Sequence, residues 1–196
     1  MRLLLATRNR NKVIEMQGAL EDTGWQVAML SDVAGAPEVE EDGATFEENA
    51  LKKARSAARF SHLWTLAEDS GLEIDALGGE PGVRSARYAG EGATDAELIR
   101  KVLGQLVSVR DDRRTARFRC LMCVIDPAGE ESCFEGRCEG RIAHRATGSA
   151  GFGYDPIFIP DGCDRTFAEL GLDVKSKISH RARALEQVIA FLCQPH

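Results

Sequence analysis

The chain has no surplus of positive charge. Of its 196 residues, 25 are Lys or Arg and 31 are Asp or Glu, a net charge of −6, which argues against a broad electrostatic grip on nucleic acid and leaves room only for a local basic pocket around a small anion. The apolar run that opens it, Met1 to Ala6, gives way at once to Thr7, Arg8 and Asn9 and is too short for a signal peptide or a membrane span. A cytoplasmic protein without a membrane partner is therefore expected. No low-complexity linker occurs, and the charged residues are interspersed rather than blocked, which excludes long disorder. A Gly-rich phosphate fingerprint is also lacking: the glycines of segment 148–156 fail the GxGxxG pattern in spacing and in context. Of six cysteines, Cys120 and Cys123 have a CxxC spacing, but in a strand residues three apart face opposite sides and lie ~10 Å apart, beyond a disulfide's reach. Six free, reduced thiols are expected.

What is present suits one sizeable core: 43% of residues are hydrophobic, and 196 residues are few for two full domains, so a single domain with two lobes is expected over 1–196. Strand patterns lie at 2–6 and 25–30, and apolar spacing predicts a helix over 13–20 that Gly24 ends. Thr45-Phe46-Glu47-Glu48 is a capping box that starts a helix over 46–61, and Thr94-Asp95-Ala96-Glu97 starts another to Leu106. Segments 117–126 and 132–143 read as antiparallel strands joined through Pro127-Ala128-Gly129. Between 63 and 77, two apolar runs flank a polar turn, Glu68-Asp69-Ser70-Gly71, with Gly71 supplying the bend.

Chemistry-bearing residues gather in a few places. Thr7 to Lys12 forms a strand-to-helix loop, whose free N–H groups and positive helix end make an anion site. The acids at 38–42 precede the helix at 46. Gly151-Phe152-Gly153-Tyr154-Asp155-Pro156 can bring backbone and ring close to a flat ligand. Lys175 to Arg181 opens the last helix, where positive charge opposes the dipole, so an anion or a carbonyl oxygen is expected as its partner.

Seven pieces in register, Thr7-x-Asn9-x-x-Lys12, Thr45-Phe46-x-Glu48-Asn49-Ala50, Asp69-Ser70-Gly71-Leu72, Leu77-Gly78-Gly79-x-Pro81-Gly82, Ser85-Ala86-Arg87-Tyr88, Gly151 to Pro156, and Lys175 with Ser179-His180-Arg181, make the chain resemble the inosine triphosphate pyrophosphatases. These are also described as non-standard purine nucleoside triphosphate pyrophosphatases. The resemblance covers nearly the whole chain. It departs from the family at Arg8, where Gly is frequent, and at Glu68, where many bacterial members have Asp. It implies an α/β fold in which a long twisted mixed sheet with flanking helices forms two lobes around a deep cleft, in a homodimer. It implies hydrolysis of ITP, dITP and XTP between the α and β phosphorus. By similarity Asp69 is the general base, Glu40 and Asp69 lie on the Mg²⁺ side, with Glu41 as the fallback, and Ser70 touches substrate.

With that reading the residues divide by chemistry. Mg²⁺ prefers one or two carboxylates plus waters, as Glu40 and Asp69 can supply. Thr7, Arg8, Asn9, Arg10, Asn11 and Lys12 would hold the phosphate tail. Phe152 or Tyr154, with Gly153 and Asp155 beside them, would cover the purine, while Lys175, His180 and Arg181 donate to its 6-oxo edge, which adenine would leave unpaired. The alternatives are a pyrophosphatase of modified pyrimidine triphosphates and a non-catalytic nucleotide-binding module.

Overall fold

A computed structural model of the chain describes residues 1–21, 23–30, 33 and 35–194. Its strands are β1 (Arg2–Leu5), β2 (Gln26–Met29), β3 (Trp64–Ile74), β4 (Thr115–Ile125), β5 (Glu131–Ile142) and β6 (Phe158–Pro160). The α-helices are α1 (Arg10–Glu21), α2 (Phe46–Ser61), α3 (Asp95–Gln105), α4 (Phe167–Leu170), α5 (Leu172–Ile178) and α6 (His180–Leu192). The strands form one sheet in the order β2-β1-β3-β4-β5-β6. β1 runs parallel to both β2 and β3, whereas β5 and β6 are antiparallel, so the expected mixed sheet with flanking helices is what the chain forms. Among the described residues no helix is long and apolar enough to cross a membrane.

The chain divides into two compact units. The first comprises Met1–Asp69, Cys120–Gly136 and Arg181–His196, and the second Ser70–Arg119 and Arg137–His180. Each has its own apolar core. In the first, Leu3 and Leu5 of β1, Met16 and Leu20 of α1, Met122 of β4 and Val188 of α6 are buried together. In the second, Phe118, Phe158 and Phe167 pack ring against ring, with Phe118 and Phe158 centroids 4.7 Å apart. α2 begins where the capping signal places it: Thr45 accepts the Glu48 N–H at 3.1 Å, and Glu48 accepts the Ala44 N–H at 2.7 Å.

Three expectations need correction. First, Glu68 to Gly71 is not a turn. β3 runs unbroken from Trp64 to Ile74, with Glu68, Asp69 and Gly71 buried in it. An ionised side chain breaks a buried strand only when nothing compensates its charge, and here cations do. Second, the basic segment 175–181 does not open one helix. α5 ends at Ile178, Ser179 is extended at φ −70° and ψ 162°, and α6 starts at His180. Lys175 and Lys177 therefore lie in the last turn of α5, where positive charge suits the dipole. Third, not all six cysteines are free thiols. The β4–β5 turn, closed by the Asp126 N–H to Glu130 carbonyl bond of 3.1 Å, sets Cys123 opposite Cys133 with Cα atoms 4.2 Å apart, and the two form a disulfide. Cys120, Cys138, Cys163 and Cys193 lie outside this disulfide.

Candidate active site

In the first unit the site is built on β3. Glu68 points a fully buried carboxylate at two cations: its Oε1 lies 2.8 Å from Lys12 Nζ, and its Oε2 accepts from Arg181 Nε at 2.9 Å. The Cys120 thiol also donates to Oε2, at 3.1 Å. Burial by itself would push the Glu68 carboxyl up, but the charges of Arg181 and then Lys12 outweigh it and hold the group well below the usual carboxylate range. Arg181 is further paired with Glu15, and its own pKa is raised in spite of burial.

Asp69, the next residue, meets a different environment. Its Oδ2 accepts from Asn49 Nδ2 at 3.0 Å, and its Oδ1 lies 3.6 Å from Lys53 Nζ, which in turn sits 3.1 Å from Glu41 Oε2. Burial is the largest influence and pushes the Asp69 carboxyl up. The Glu41 charge adds to this, while Lys53, Lys12 and the Asn49 bond offset only part of it. A buried carboxylate with a raised pKa suits a group that takes a proton. Asp69 and Glu41 are also hard oxygen donors of the type that Mg²⁺ takes as one or two carboxylates plus waters. Among the described residues no group of three or more His, Cys, Asp or Glu is arranged so that it could hold a metal ion by itself. Of the two acids expected to share the metal with Asp69, Glu41 is the one tied to it through Lys53, whereas Glu40 is exposed.

The phosphate-loop candidates behave unequally. Asn9 caps α1: its Oδ1 accepts the N–H groups of Asn11 at 3.0 Å and Lys12 at 3.3 Å, and Thr7 Oγ1 accepts the Asn9 N–H at 3.2 Å. Two of the first-turn amides expected to face an anion are thus bonded within the loop. Arg8 donates to the Ala36 carbonyl at 2.9 Å, while Arg10 and Asn11 are exposed. Lys12 alone of this loop joins the carboxylate cluster.

The second unit holds the aromatic loop. Asp155 is buried and its Oδ2 accepts the Phe152 N–H at 2.9 Å and Lys175 Nζ at 2.5 Å. The same ammonium lies 4.5 Å from the Phe152 ring centroid. The Gly153 N–H donates to Asp95 Oδ2 at 2.7 Å, which fastens the loop to the start of α3. Tyr154 is buried and donates its hydroxyl to the Ser85 carbonyl at 2.8 Å, whereas Phe152 is half-buried. His180 stacks on Phe118 with centroids 4.7 Å apart. Ser70 follows Asp69 on β3 and is half-buried. Arg181, grouped by sequence with Lys175 and His180, belongs instead to the first unit with Glu68.

Sequence reasoning placed Asn49 in a family-matching piece without giving it a role, and it missed Lys53. Both stand on α2 four positions apart, on the side of Phe46, Ala50, Ala54 and Ala57, which are buried. Polar residues at i and i+4 beside a buried stripe were the available signal.

Comparison with known proteins agrees with this architecture. The solved structures of a HAM1 protein from Coxiella burnetii (44% identity, TM-score 0.90, 98% of each chain) and of a nucleoside-triphosphatase, dITP/XTP pyrophosphatase, from Mycobacterium abscessus (44%, TM-score 0.79, 98% of this chain and 100% of that one) share the α/β fold. The chain belongs to the Ham1 family, whose profile matches residues 3–191. Relatives named dITP/XTP pyrophosphatase include those of Desulforamulus reducens, 48% identical over 98% of this chain and 96% of that protein, and of Bacillus subtilis, 49% identical over 96% of each.

Proposed function

We propose that the protein hydrolyses non-standard purine nucleoside triphosphates, dITP, XTP and ITP, with Mg²⁺, to the monophosphate and pyrophosphate. It would act as a cytoplasmic homodimer that clears such nucleotides from the pool. The observation that carries the reading is Asp69: a buried carboxylate with a raised pKa, held by Asn49 and flanked by Lys53 and Glu41, in a chain whose relatives are named for this activity.

Asp69 with Glu41, or Glu40 from the same loop, would hold the Mg²⁺. The ion would draw charge from the phosphate oxygens. Asp69 takes the proton of a water whose oxygen attacks the α-phosphorus. The bond from that phosphorus to the bridging oxygen breaks, and its electron pair leaves with pyrophosphate. Lys12 and Lys53 stabilise the charge that builds on the departing group. Thr7, Arg8, Asn9, Arg10, Asn11 and Ser70 complete the phosphate side. On the base side, Phe152 covers the purine face, Gly153, Tyr154 and Asp155 shape the loop, and Lys175 and His180 donate to the 6-oxo edge. We assign Arg181 to holding Glu68.

Purified protein with Mg²⁺ should release pyrophosphate from dITP and XTP with kcat/KM at least about 100-fold above that for ATP, because an amino group at position 6 leaves buried donors unpaired. Equal rates on all three, orthophosphate as the product, or full activity in EDTA would overturn the proposal. The base side has its own test. Gly151 has φ +78°, and a Cβ there would lie 2.0 Å from Asp155 Oδ2. Gly151→Ala should therefore displace the carboxylate that holds Lys175 and the Phe152 N–H. Loss of one charge-assisted bond is worth roughly 1.5–3 kcal/mol, so KM for dITP should rise about 10- to 100-fold, read from initial rates.

A further inference from the structure

Asn49 is fully buried in the first turn of α2, a place where an asparagine contributes little to helix stability and where its amide must find partners. It has them on two sides. Its Oδ1 accepts the Gly43 N–H at 2.8 Å, and its Nδ2 donates to Asp69 Oδ2 at 3.0 Å. The orientation of the amide is fixed by this pair, since only the oxygen can receive an N–H and only the nitrogen can serve a carboxylate. The loop lies so close that a Cβ on Gly43 would come within 2.6 Å of Asn49 Oδ1 and 2.9 Å of Glu48 Cβ.

One side chain thus joins the backbone of the acidic loop to the carboxylate on β3. It also distinguishes the two oxygens of Asp69: Oδ2 is committed to Asn49, and Oδ1 is turned to the Lys53 side. We propose that Asn49 is the positioning residue of Asp69, which fixes the rotation of that carboxylate and ties the loop carrying Glu41 to it. The proposal rests on the reading of Asp69 as the base. A carboxylate free to rotate by one rotamer would misplace the proton acceptor by more than the tolerance of an aimed water.

Asn49→Asp keeps the size of the side chain and an oxygen for the Gly43 N–H, but sets a second carboxyl against Asp69 in place of the amide donor, so its effect is read together with that of Asn49→Ala, which adds no charge. Asn49→Ala removes both bonds. Both variants should fold but melt below the wild type, since each leaves a buried group without its bond, and both should lose about 10- to 100-fold in kcat for dITP while KM stays within about twofold. A residue serving only to support the fold would lower the melting temperature and leave the kcat of Asn49→Ala alone. Wild-type kcat in Asn49→Ala, a loss confined to KM, or failure of both variants to fold would each overturn the assignment. Asp69→Asn measured alongside separates the two ideas: if it is inactive while Asn49→Ala is fully active, only the role of Asn49 falls. If Asp69→Asn retains turnover, the reading of Asp69 falls with it.

Discussion

Asp69→Asn is expected to fold normally and to lose about 10²- to 10⁴-fold in kcat, the contribution of a positioned general base. The asparagine has the shape of the aspartate, and its oxygen can still accept from Asn49 Nδ2. The stability of the variant is the more telling half of the result. In the fold the Asp69 carboxyl holds its proton more tightly than in the unfolded chain, because burial disfavours the charge and Glu41 adds to it. A group whose folded pKa is raised binds more protons in the native state. Its ionised form at neutral pH therefore costs stability, and the cost disappears as the pH falls through the raised value. In magnesium-free buffer the Asn variant should melt at or above the wild-type temperature, with the difference shrinking toward acid pH. A variant that is dead because it is unfolded would fail this prediction. So would a stable one with full turnover.

The parts of the fold that were legible in the sequence are those set by neighbours in the chain. Thr45 and Glu48 fix the start of α2 because the cap is made within one turn, and the Pro127-Ala128-Gly129 hairpin is local in the same way. β3 was misread for the opposite reason. Its charged residues look like a turn until the cations that neutralise them are counted, and one of these, Arg181, lies 113 positions further along the chain. Hydrophobic periodicity carries no record of such a partner. The break at Ser179 was hidden likewise: nothing between Lys175 and Arg181 breaks a helix by composition, yet Lys175 is drawn to Asp155 and Arg181 to Glu68.

Within the site, legibility followed residue type. Asp69, Lys12 and Lys175 stand out as charges beside apolar runs, and the structure gives each a charged partner or neighbour: Lys53, Glu68 and Asp155 respectively. Asn49 and Lys53 look like ordinary helix surface, and only tertiary contact shows that their side chains turn inward. The Cys123–Cys133 pair is set by the register across the β4–β5 hairpin, which the spacing of cysteines along one strand does not reveal.

Glu68→Gln should have the reverse profile of its neighbour: a large loss of stability. Its side chain is 1% exposed and those of Arg181 and Lys12 are 3% and 16% exposed, so removing the negative charge leaves two poorly hydrated cations side by side that Glu15, paired with Arg181, compensates only in part. Breaking a buried pair by deleting one partner costs about 3–5 kcal/mol, even where the intact pair adds little over an apolar substitute. For a chain of this length that corresponds to a fall of roughly 10 °C in melting temperature. The pH dependence carries the opposite sign to that of Asp69. Arg181 and Lys12 depress the folded pKa of Glu68, so its contribution is complete above the ordinary carboxylate value of 4.5 and is lost as the pH falls through the depressed one. The gap in urea midpoint between wild type and Glu68→Gln should be flat from pH 6 to 8 and close in acid, and a gap that widens in acid would contradict the assignment. Two adjacent carboxylates on one strand are thus pushed in opposite directions by what surrounds them. That separation fits the proposed division of roles, in which Asp69 takes up a proton while Glu68 stays ionised against Lys12 and Arg181.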